Sequence, residues 1–502
     1  MNKTSIIYGI SFLSTVVAPC NAQKMPKQQP NIIYILADDL GYGDVGILGQ
    51  KAIKTPNIDR LAREGMIFTR HYSGAPVSAA SRCSLMTGQH TGHTLVRGNK
   101  SVPGIGPIPI NNSVMTIPEA IKVNTNYVTG MCGRWHLGEE NSPDQTPYRR
   151  GFNYHFGKLA SNYRNLFGVM VDTLWRKDGA HIPYAEYSKY GVEPVYENGK
   201  LYNLSPEENV YKRPVNMDRI VTDKAMQFIE KNKANHFFLY VAYCLPHAPM
   251  EFHAETPPDV YGWENWPETE RAFASMVQTL DSYLGEIMNK VDGLGLSEKT
   301  IIVFTSDNGA HNEGGHNYRF FKSNGPFNGI KRDVIEGGIH TPMIVRWNGT
   351  IQQGSHTNLL SAFWDVMPTL CELTGAPIPV QTDGISFAPT LIGKGKQKQH
   401  EYLYWEFSEH TGITFDKRPV ISFWPRQAVV FDHWKVIKYV NENKVELYDL
   451  SDDLCEGNDL STRYPDLVAR GLSIMQQSHT VNSNFPIFPS EHLTNKNNNN
   501  QK

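Results

Sequence analysis

The chain has 502 residues, with 48 Lys and Arg set against 50 Asp and Glu. That balance offers no basic face for a nucleic acid and no charge run for coating a polyanion. The length allows one large core or two moderate ones, and six cysteines without paired spacing argue against a disulfide framework or a zinc site.

The N-terminus reads as an export signal. Lys3 precedes an apolar run from Ile6 to Val17, and a small-residue pattern ends at Ala22. The run is too short to span a bilayer comfortably. Pro19 before Cys20 fits a lipid-anchoring motif poorly. Residues 1–22 are therefore expected to be removed, leaving an exported chain, periplasmic or secreted, without stable membrane insertion or a lipid anchor at Cys20.

"NIIYIL" (Asn31–Leu36) is a continuous apolar run that suits a strand buried on both faces. It stops at the turn "ADDLGYGD". "TPNIDRLAREG" then reads as a helix, with Thr55 as N-cap, Pro56 in its first turn and Gly65 as its stop. "MIFT" is a short strand leading to "GAPVSAASRCSLMTG". Further on, "HFFLYVAY" (His236–Tyr243) is a second buried strand. Met276, Leu280, Leu284, Ile287 and Val291 recur at helical spacing, and "TIIVFTSDNG" is a third buried strand. Alternating strands and helices imply a large mixed, mostly parallel sheet sandwiched by helices. Composition shifts near "LIGKGKQKQHEYLYW". The shorter strands beyond it and a helix over Pro465–Gln477 imply a smaller C-terminal α+β subdomain with an antiparallel sheet. The expected division is a main α/β domain over 23–394, this subdomain over 395–490, and a low-complexity tail over 491–502.

In such folds working residues collect beyond the carboxyl ends of the strands. Asp38 and Asp39 follow the first strand and Asp307 and Asn308 the third. Singly, each pair reads equally as a turn or a cap. Converged, their oxygens suit a hard cation, Ca²⁺ or Mg²⁺. Ser78 falls at the start of a helix, where backbone N–H groups favour an anion, with Arg82 one turn along. A serine cap beside a surface arginine is the plain alternative. Cys83 reads as a small buried residue. Arg134 and His136 sit two apart on an extended segment and so share a face. His247 lies between two prolines just past a strand, and Lys331 in a loop before a glycine pair; either also reads as structural or solvated.

Together these residues resemble the type I sulfatases, formylglycine-dependent members of the alkaline phosphatase superfamily, over about Gln29 to Leu460. Ser78, Ala80, Ser81, Arg82, Met86, Thr87 and Gly88 meet the family's defining signature, in its serine form. Tyr127, Thr129, Gly133, Trp135, His136, Leu137 and Gly138 meet the second signature. "TSDNG", "EGGIHTP" and "ELYDLSDD" follow in family order.

The resemblance implies an alkaline-phosphatase-like fold and hydrolysis of a sulfate ester, with exo-desulfation of a glycan as the leading expectation. It implies that a separate maturation enzyme oxidises Ser78 to Cα-formylglycine, whose hydrate can attack sulfur and then expel sulfate. It carries over Asp38, Asp39, Asp307, Asn308 and modified Ser78 as Ca²⁺ ligands, with Mg²⁺ the lesser candidate. Arg82 and Lys331 would hold sulfate charge, with Arg134 standing where the family has lysine. His136 would handle the diol proton, and His247 would protonate the leaving oxygen. His340 replaces the arginine of the family's EGGxR segment, which puts a structural ion pair in question. His311, His316, Asn317 and Arg319, "PYRRGFNYHFG" and the aromatic loop from His410 to Trp424 are candidate sugar contacts. The alternatives are a phosphodiesterase or phosphonate hydrolase using unmodified serine, and a sulfated-glycan-binding protein without activity.

Overall fold

The computed structural model describes residues 29–99, 101–102, 106–138, 143–159, 195–202, 217–248, 250, 261–408 and 425–491. The export signal with Cys20, residues 492–502 and the loop from His410 to Trp424 lie outside the described residues. In chain order the framing elements begin with β1 (Asn31–Ala37), α1 (Pro56–Arg63), β2 (Met66–Phe68), α2 (Ser78–Thr87), β3 (Val128–Arg134) and β4 (Tyr154–Lys158). Next come β5 (Val195–Glu197), β6 (Lys200–Leu201), α3 (Met217–Lys231), β7 (Phe237–Ala242), α4 (Glu268–Gly293) and β8 (Thr300–Ser306). They continue with α5 (Tyr318–Phe321), α6 (Glu336–Ile339), β9 (Met343–Arg346), β10 (Ser355–Thr357) and α7 (Val366–Thr374). The C-terminal part contributes β11 (Leu403–Phe407), β12 (Arg426–Phe431), β13 (Trp434–Tyr439), β14 (Lys444–Asp449) and α8 (Pro465–Ser478).

Among the described residues the large sheet has ten strands in the order β10-β2-β9-β8-β1-β7-β3-β4-β5-β6. Its centre, β8-β1-β7-β3-β4, is parallel. β9 pairs antiparallel with both β8 and β2. The alternation along β1 explains its unbroken apolar sequence. Ile33, Ile35 and Ala37 pack with Leu280, Leu284 and Ile287 of α4 on one face. Ile32, Tyr34 and Leu36 pack with Leu85, Met86 and Met367 on the other. A strand covered on both sides has no solvent face to give a polar residue. Among the described residues no helix is long and apolar enough to cross a membrane.

The C-terminal strands β11-β12-β13-β14 form a four-stranded antiparallel sheet, against which Val468, Leu472 and Met475 of α8 pack. A buried ionic cluster ties this sheet to the main domain. Lys435 of β13 lies 2.8 Å from Glu336 of α6 and 2.9 Å from Glu456. The other oxygen of Glu336 accepts from Tyr72 at 3.0 Å and meets His340 Nδ1 at 2.8 Å. His340 thus keeps an acidic partner without an arginine, and its ring stacks on Phe327 at 4.3 Å. Removing the one lysine between two buried carboxylates leaves like charges face to face. Lys435→Met is expected to cost about 3–5 kcal/mol, read as a lower midpoint in denaturant unfolding, while Lys444→Met, whose lysine is largely exposed, should change it little.

Candidate active site

Because β8, β1, β7 and β3 are parallel neighbours, their carboxyl ends meet along one edge. Backbone bonds set the loops beyond them. Asp38 N–H donates to Leu245 O at 3.0 Å, and Asp307 N–H to Ala37 O at 3.0 Å. Asp39 adopts a left-handed conformation (φ 67°), which aspartate tolerates better than most residues. The glycines of "SDNG" and "EGG" are steric requirements. Gly309 N–H donates to Gly338 O at 2.9 Å, and a Cβ on Gly309 would sit 1.9 Å from Gly337 O. That approach, with Lys331 N–H bonded to Ala310 O at 2.7 Å, carries Lys331 to the aspartates.

Ser78 is the first residue of α2, and its Oγ donates to Asp38 Oδ1 at 3.0 Å. Arg82 is fully buried and already committed to protein partners. Its Nη2 lies 3.0 Å from Asp38 and 2.8 Å from Asp307, its Nε 3.1 Å from Asp307, and its Nη1 donates to Arg134 O at 2.8 Å. It therefore braces the carboxylates as well as supplying positive charge. Arg134 ends β3 and donates to Asp38 Oδ2. The extended geometry expected for Arg134 and His136 is not what forms: the chain leaves the strand at Arg134 and His136 turns left-handed (φ 61°). His136 is buried, and its Nδ1 has no hydrogen-bond partner.

On the opposite side, Lys331 Nζ donates to Asp39 Oδ2 at 2.7 Å and stands 3.4 Å from His247 Nε2. His247 Nδ1 meets Ala248 O at 2.7 Å, so that nitrogen carries the hydrogen and Nε2 faces the cluster. The structure adds a residue that the sequence reading passed over. Glu313 lies 3.0 Å from Lys331, 2.6 Å from Arg332 and 3.9 Å from His247 Nε2. Its signal in sequence was only an acid in a glycine-rich loop. His311 stacks near-parallel to His247, with ring centres 6.5 Å apart. His316, Asn317 and Arg319 do not join the cluster. His316 is buried on Phe273 at 3.7 Å and bonded to Glu270 at 2.7 Å. Asn317 caps α5 by accepting from Arg319 N–H, and Arg319 is exposed with its guanidinium over Tyr318.

Burial alone would raise Asp38, yet Arg134 and Arg82, with His247 and Lys331 behind them, hold its carboxyl well below the usual range. Asp39 is likewise drawn down by Lys331 and His247 against its burial. Asp307 goes the other way: burial and the charge of Asp38 push it up to about 7. Burial, then Arg134 and Arg82, drive His136 well below an ordinary histidine, so it rests neutral. His311 is lowered to about 3 by burial. A hard cation fits this donor set. Asp38, Asp39, Asp307 and Asn308 are fully buried, all offer oxygen, and Asn308 Oδ1 has no hydrogen-bond partner.

The family model "Sulfatase" matches residues 30–376, and "N-sulphoglucosamine sulphohydrolase, C-terminal" matches residues 326–470. The chain belongs to the sulfatase family. It is 30% identical to the N-acetylgalactosamine-6-sulfatase of Mus musculus, over 86% of this chain and 76% of that protein. It is 29% identical to the N-acetylgalactosamine-6-O-sulfatase of Bacteroides thetaiotaomicron, over 91% and 96%. The solved structure of Ps i-CgsB in complex with k-i-k-neocarrahexaose superposes with a TM-score of 0.74 at 26% identity, covering 93% of this chain and 96% of that one. The protein is thus a sulfuric ester hydrolase of alkaline-phosphatase-like fold. Ser78→Ala should lower sulfate release by about 10⁴-fold or more, with a thermal midpoint near that of the wild type, because among the described residues its side chain bonds Asp38 alone.

Proposed function

We propose that this sulfatase desulfates a sulfated carbohydrate, acting from the end of the glycan, through a Cα-formylglycine that a separate maturation enzyme makes from Ser78. In this reading Asp38, Asp39, Asp307, Asn308 and the modified Ser78 hold Ca²⁺, and the enzyme works outside the cytoplasm. The observation that carries it is the meeting of Ser78 Oγ with Asp38 at 3.0 Å inside a buried, oxygen-only donor set. The hydrated aldehyde supplies one hydroxyl for attack and a second for release of sulfate, and the cation supplies charge that acidifies both. Relatives named as N-acetylgalactosamine 6-sulfatases and a neighbour bound to neocarrahexaose support a sugar substrate.

The chain's own residues divide the remaining work. The carboxylates of Asp38, Asp39 and Asp307 are matched by the cations of Arg82, Arg134 and Lys331, so a bound divalent cation leaves net positive charge for a sulfate anion. Neutral His136 accepts the proton that the nucleophile loses. The Lys331–His247 pair, with Nε2 facing the cluster, returns a proton to the leaving oxygen. Glu313 holds Lys331 and Arg332 at the rim.

The test is sulfate release from N-acetylgalactosamine 6-sulfate, galactose 6-sulfate, N-acetylglucosamine 6-sulfate and 4-nitrophenyl sulfate, before and after EDTA. The expected result is turnover of at least one sugar sulfate, lost on chelation and restored by Ca²⁺ more fully than by Mg²⁺. Cleavage of the aryl ester alone would sink the carbohydrate reading. Activity on bis(4-nitrophenyl) phosphate without any on the sulfates would sink the formylglycine chemistry.

A further inference from the structure

The segment carrying His247 leaves the sheet where β7 ends at Ala242. Tyr243 N–H still reaches Leu36 O at 2.9 Å, but the next two backbone donors meet a side chain. Asp218, in the first turn of α3, accepts from Cys244 N–H at 2.8 Å and from Leu245 N–H at 2.9 Å, both through Oδ2. Asp218, Cys244 and Leu245 are buried, so no solvent replaces that acceptor. His247 N–H then closes the turn on Cys244 O at 2.9 Å. One carboxyl oxygen thereby fixes the two peptide planes from which His247 hangs.

We propose that Asp218 is a positioning residue for leaving-group protonation, holding the Cys244 and Leu245 peptides so that His247 Nε2 stays beside Lys331 and Asp39. This rests on the reading of His247 as the group that serves the leaving oxygen. Leu245 O also accepts Asp38 N–H at 3.0 Å, but Asp38 is held independently by Ser78, Arg82 and Arg134. Loosening the loop therefore falls on His247 first.

Two esters separate positioning from general damage. A 4-nitrophenolate departs without a proton, whereas a sugar alkoxide needs one. The sugar ester is the one that the wild-type enzyme turns over fastest in the panel above. Asp218→Ala is expected to lower kcat on it about 10- to 100-fold while leaving 4-nitrophenyl sulfate within about twofold. Asp218→Asn, which keeps an oxygen for both N–H groups, should recover most of the sugar-ester rate. The loss should not add to that of His247→Ala in the double variant. Asp218→Ser makes the same test should the alanine variant fail to accumulate. Equal losses on both esters, or additive losses in the double variant, would overturn the positioning role. A His247→Ala variant without the same ester selectivity would overturn the assignment of His247 as proton donor, and with it the role of Asp218.

Discussion

One guanidinium holds the centre of this molecule together. Arg82 joins the carboxylates of Asp38 and Asp307 and the backbone of Arg134, binding the ends of β1, β8 and β3 to the helix that begins with Ser78. Buried carboxylates this close repel one another and are costly to desolvate. Without the arginine they would protonate or move apart, and the oxygen cluster beside Ser78 would not persist. The placement of α2, buried along its whole length, follows from the same bond: the helix must approach closely enough for Arg82 to span two strand ends.

A site built this way is preorganised. Side chains fixed by charge and packing need little rearrangement when charge shifts during reaction, and that is the usual source of electrostatic catalysis. The two halves of the cluster also differ in kind. On the Arg82 side everything is sealed, and His136 is kept neutral by burial and two arginines. On the Lys331 side Glu313 is partly exposed. The C-terminal sheet is locked beneath through Glu336 and Lys435, so the "EGG" segment that sets Lys331 is itself anchored from behind.

Much of this was legible in the sequence. The strands of the main sheet read as buried because their apolar runs are unbroken, and the helix over Met276–Val291 read from its spacing. Asp38, Asp39, Asp307 and Asn308 were legible as strand-end oxygens, and Ser78 as a helix start. What was not legible depends on long-range pairing. Nothing in "MDRIVTDK" marks Asp218 as an acceptor for peptides more than twenty residues on. Asp in a first helical turn reads as an ordinary response to the helix dipole. Arg82 read as a ligand for an anion because its two carboxylate partners are 44 and 225 residues away. His316 looked equivalent to His311, yet five residues later the chain has turned and its ring packs on Phe273. His136 comes near Arg134 and Arg82 through a feature that an extended reading misses, a left-handed turn just after the strand.

The central claim is that Ser78 is not left as serine. The most direct measurement is the mass of the tryptic peptide from His71 to Arg82 in protein made in its native host. A peptide lighter than the serine form by two hydrogens, and trapped by a carbonyl reagent, is the result this account predicts. An unmodified serine throughout, in protein that nonetheless releases sulfate at full rate, would contradict it.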